Sequence, residues 1–131
     1  MPDVWVPASV VLGFQLTAFS WRIQRELTLR TRLKWVPPAD LLNLASFFVI
    51  LGGVFVLPSL NLPRNEEFAR DAFGLGLLLL GIYPFALMAH YGLHPFGNPE
   101  REVTWYSSAE MLAIATAGVL AAAFVVVAAA H

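Results

Sequence analysis

The chain contains no cysteine. That excludes disulfides, thiolate catalysis, iron–sulfur clusters and cysteine-ligated zinc, and it leaves the redox compartment unreadable. Charge is scarce as well: 13% of the 131 residues are Asp, Glu, Lys or Arg. Four runs hold no charged residue at all, at about 4–21, 41–60, 72–93 and 111–130. The N-terminal "MPDVWVP" has an Asp and no basic residue, so it lacks the positive region of a cleaved signal peptide, and none is expected.

What is present points to a membrane. Hydrophobic residues make up 58% of the chain and the mean hydropathy is +0.67, against roughly 45–50% apolar usage in soluble domains. Each charge-free run approaches the ~20 residues an α-helix needs to cross hydrocarbon, where a central charge would cost roughly 2.5–3.5 kcal/mol. The expectation is an all-α integral membrane protein, with residues 1–131 forming one domain of four transmembrane helices in an antiparallel bundle. A soluble protein with four buried helices would need polar faces that these runs lack.

Local signals agree with that division. Pro37 and Pro38 before Asp40 mark one helix start, and Asn65 before "EEFARD" marks another, with Glu66 and Arg70 spaced to pair one turn apart. Ser107 and Glu110 have the spacing of a capping box ahead of the last run. Pro58 and Pro63 close the second run, and Pro84 lies inside the third, where it removes a backbone hydrogen bond. Trp5, Trp21, Trp35 and Trp105 all fall near run boundaries, as an aromatic belt requires. Arg22, Arg25, Arg30, Arg32, Lys34 and Arg101 fall on one side, and only Arg64 and Arg70 on the other. The positive-inside rule therefore predicts a cytoplasmic basic surface from Arg22 to Lys34, with both termini non-cytoplasmic, in a bacterial or organellar inner membrane.

The first connection, "SWRIQRELTLRTRLKWVPPAD", is polar at every even position from 22 to 34 and apolar at the odd positions from 21 to 35 except Arg25 and Thr31, a period-two strand signature. A straight helix from Arg22 to Trp35 would project ~21 Å, and residues 36–38 could return the chain only ~10 Å. The pattern predicts a short helical overhang followed by an extended segment, or one long strand. "EVTWY", residues 102–106, is available as a partner strand on the same side, so a short cytoplasmic β element is expected alongside the alternative of an irregular loop on anionic headgroups.

Candidate chemistry is thin. His90 and His94 stand four apart, so on a helix they share a face and could bind one metal, or either could serve as a single axial ligand to a haem or chlorophyll-type pigment. A metal would need further ligands, for which Glu100, Glu102 and Glu110 are the nearest candidates; the plainer reading places both histidines as polar residues near the membrane boundary, with Tyr91 beside them. Gln15, Thr17 and Asn43 are polar groups inside the first two runs, suited to hydrogen bonds between helices. Ser107 and Ser108 are better explained as a cap than as nucleophiles, and no catalytic residue is assigned. The size and span count are shared with small multidrug transporters, but the first-span carboxylate they require is missing.

Ala109, Ala113, Ala117 and Ala121 recur every four residues beside Gly118, a small-residue face that lets another backbone approach closely. Gly52-Gly53, Gly74, Gly76 and Gly81 are candidate counterparts within the chain; a partner subunit is the other. The leading expectation is a non-catalytic accessory or structural subunit of a larger membrane complex, touching lipids and other membrane subunits, with no cofactor and no nucleic acid. A haem, pigment or metal subunit using His90 or His94 is the alternative, and a small channel or transporter the third.

Overall fold

A computed structural model describes residues 3–28, 38–60, 65–90 and 108–131. Among these there is no strand, and four helices account for nearly all of them. They are α1 (Trp5–Thr28), α2 (Pro38–Ser59), α3 (Asn65–His90) and α4 (Ser108–Ala129). Helices α2, α3 and α4 are long and apolar enough to cross a membrane. Helix α1 falls short of that standard, because Pro7, Ser9, Gln15, Thr17 and Ser20 interrupt its apolar residues.

The helix starts follow local chemistry. Acidic residues occupy the first turns of α2 (Asp40), α3 (Glu66, Glu67) and α4 (Glu110), where the exposed amides carry partial positive charge. Residues 22–28 are the end of α1, the helical overhang of the first alternative and not part of one long strand. Helix propagation from the first run, one hydrogen bond per residue added, outweighs the period-two pattern there. Residues 29–37 and the candidate strand 102–106 lie outside the described residues.

In α2, residues Leu51–Val56 widen into a π-helical turn, with the Leu57 amide donating to the Gly52 carbonyl five residues back. That turn immediately precedes Pro58, whose ring would clash with the carbonyl four residues before it in a regular α-helix. The helix thus continues through Pro58 to Ser59.

The buried positions trace a repeat of 3.5 residues. On α3 they are Ala69, Ala72, Gly76, Leu79, Tyr83, Ala86 and His90, alternating three and four apart, and on α2 the series Ala39, Asn43, Ser46, Ile50, Gly53 has the same spacing. On α1 the buried residues are Ala8, Gln15 and Arg22, one per heptad. This is the seam geometry of left-handed helix packing. Helix α3 lies between α2 and α4, and α1 packs mainly on α2. Close approach of α2 and α3 depends on two glycines: a Cβ at Gly53 would overlap Ala72, and one at Gly76 would overlap Ile50.

Candidate functional site

Moving along the seams to one end of the molecule, polar side chains replace apolar ones. Arg22, near the end of α1, meets Asp40 in the first turn of α2 through two parallel bonds, Nε to Oδ1 at 3.2 Å and Nη2 to Oδ2 at 2.9 Å. The paired geometry uses the planar fork of the guanidinium, which lysine could not reproduce. Tyr83 of α3 donates its hydroxyl to the same Asp40 Oδ1 at 2.9 Å. Both members of the ion pair are buried, with side-chain exposures of 8% and 4%.

Beside it, Glu110 of α4 is fully buried. Its Oε1 accepts the Ala39 backbone N–H at 2.9 Å, and its Oε2 lies 3.1 Å from His90 Nδ1 at the end of α3. Ala39 lies in the first turn of α2, where amides have no partner within their own helix. Glu110 therefore supplies from α4 the acceptor that α2 needs, and its position at the start of α4 is what brings the two helix ends together. Arg22, Ala39, Asp40, Tyr83, His90 and Glu110 together tie all four helices at one end.

A second polar chain crosses the middle of the molecule. Gln15 Nε2 donates to Ser46 Oγ at 2.9 Å, and that hydroxyl donates to the Gly76 carbonyl at 2.7 Å. Gln15 Oε1 and Asn43 Oδ1 are buried acceptors without a hydrogen-bond partner among the described residues. Thr17, by contrast, is exposed and bonds the Gly13 carbonyl of its own helix.

Several expected roles change. Arg22 is not part of a basic surface: it is buried against Asp40, because its position, seven residues after Gln15, puts it on the α1 seam. Arg25 is exposed, while Arg30, Arg32 and Lys34 lie outside the described residues. His90 is buried within the protein beside Glu110; His94, Glu100, Glu102 and Ser107 lie outside the described residues. Arg70 pairs at 2.7 Å with Asp3, in the turn before α1, in place of the local partner Glu66. No group of three or more His, Cys, Asp or Glu side chains placed to hold a metal occurs among the described residues.

The small-residue face of α4 divides. Ala117 is fully buried, and Ala113 and Ala121 pack with it against the core shared with Leu79, Tyr83 and Ala86 of α3. Ala109 is half-buried at the edge of that seam. Gly118 faces outward, with open space where a side chain would be.

Tyr83 and Asp40 were not expected at a site, and Glu110 was expected only as a cap of the last run or as a further metal ligand beside His90. The available signal was opposite charge at run edges: Arg22 and Asp40 flank the first connection, each one residue beyond an apolar run, and Glu110 occupies the same place before the last one. Comparison with protein-family models, with curated proteins and with solved structures finds no match.

Proposed function

We propose that the chain is an integral membrane protein of four antiparallel transmembrane helices, with both termini away from the cytoplasm, acting as a non-catalytic accessory subunit of a larger membrane complex. The low hydropathy of α1 is compatible with a span, since Gln15 and Arg22 are turned onto α2 while Val6, Val10, Phe14, Leu16 and Ile23 are exposed. The basic first connection puts the polar clasp at the cytoplasmic end.

The observation that carries the accessory role is the bareness of α4. Only 6% of its most apolar stretch is buried, against 33% for α2 and 28% for α3. Its outward side still offers Ala115, Gly118 and Ala122, a surface smooth enough for a second helix to approach. The buried ionisable groups favour a structural role too, since Arg22, Asp40, His90 and Glu110 are engaged with one another or with backbone. Purification in mild detergent without crosslinker tests this reading. A membrane protein should co-purify and be lost in Gly118→Leu, at a position where an added Cβ meets nothing among the described residues. A lone monodisperse monomer contradicts it.

One observation favours a second reading, a haem, pigment or metal subunit. A carboxylate holding one nitrogen of an imidazole is the arrangement that orients a ligating histidine, and Glu110 holds His90 in that way. An absorbance spectrum and metal analysis of the purified protein, repeated on His90→Ala, decide it.

A further inference from the structure

At the end opposite the polar clasp, α2, α3 and α4 diverge around a groove of about 530 Å³. That lies within the ~300–1,000 Å³ typical of small-ligand sites. Phe48, Phe68, Leu75 and Phe124 line its walls, and Gly52 and Gly53 form part of its floor. Both glycines belong to the π-helical turn, a widening of the helix often found where ligands bind. Open space lies above Gly52, so the floor is bare and not merely small.

Among the described residues, Asp71 is the one charged side chain that lines this otherwise apolar groove. Glu67 stands one helical turn further out on the same side of α3, and Glu66 is next to it; all three are exposed. The neighbouring cation Arg70 is taken up by Asp3. The groove therefore combines an apolar body with an acidic rim. We infer that it binds a long-chain amphiphile bearing a cationic amine: the alkyl tail lies between the phenylalanines and the ammonium meets the Asp71 carboxylate. A fatty acid or a phosphate-headed lipid would bring like charge to that rim, and a neutral lipid would leave the carboxylate without a counter-charge.

Photolabelling of the full-length protein in phosphatidylcholine vesicles tests this, using hexadecylamine and hexadecanoate that carry a diazirine in the tail, with labelled residues mapped by mass spectrometry. The amine should label the Phe68 and Phe124 segments roughly two- to fivefold more than the acid, the worth of an ion pair at an exposed carboxylate. Asp71→Asn should bring the two probes to parity. Gly52→Phe, which grows into open space, should suppress both while thermal unfolding stays unchanged. Equal labelling by the two probes in the unaltered protein overturns the proposal and marks the groove as an ordinary bilayer contact. Labelling blocked by a co-purifying polypeptide also overturns it, since the occupant would then be a protein helix.

Discussion

Among the described residues, two arginine–aspartate pairs stand at opposite ends of the molecule. Arg70 and Asp3 meet at 2.7 Å with side chains 54% and 78% exposed, and Arg22 and Asp40 meet at 2.9 Å with both side chains buried. The distances barely differ, but the consequences do. In the exposed pair, water and salt compete for each charge, so little stability depends on it. In the buried pair, either charge left alone would be without solvation, and Tyr83 supplies a further donor to the shared carboxylate. Local environment, more than contact geometry, decides which ion pair holds the helices.

The largest expected effect follows from breaking the buried pair on one side. Asp40→Ala removes the buried carboxylate that Arg22 and Tyr83 share, and should lower unfolding stability by about 3–5 kcal/mol, read by denaturant titration in detergent micelles. Glu110→Ala comes next. It removes the acceptor for the Ala39 amide and the partner of His90, for a loss of about 1–3 kcal/mol, measured the same way, and hydrogen exchange should rise at the start of α2.

Steric crowding sharpens the comparison from outside the clasp. Gly76→Leu would force a side chain against Ile50 and the Ser46 carbonyl and should cost about 1–3 kcal/mol, while Gly81→Ala on the same helix, where a Cβ meets nothing among the described residues, should not lower stability. Arg70→Ala should be the mildest, below about 1 kcal/mol and smaller still in high salt. If Arg70→Ala matched Asp40→Ala, burial would not be the variable that separates the two pairs.

The helices were legible because their apolar runs are long and uncharged, a property of composition that needs no knowledge of partners. Their ends were less so. Helix α1 runs on through residues 22–28 despite an alternating pattern, because propagating an existing helix is easier than starting a strand. The first run counts as less apolar than it looks from its surface, since Gln15 points inward to Ser46. The clasp was hidden for a different reason: Asp40 finds Arg22 and Tyr83, and Glu110 finds Ala39 and His90, all on other helices. A search for charge-free spans ends one residue short of each carboxylate. His90 did stand out, but as a candidate ligand, and only the fold shows the carboxylate beside it.

The most direct test is a pair of double-mutant cycles, Arg22→Met with Asp40→Leu and Arg70→Met with Asp3→Leu, on unfolding free energy. Coupled neighbours reach about 0.5–3 kcal/mol in such cycles. The buried pair should fall near the top of that range, with the double apolar variant recovering most of the stability lost in Asp40→Leu, and the exposed pair should couple by no more than a few tenths. Equal and small coupling at both ends would contradict the claim that Arg22 and Asp40 lock the helices together.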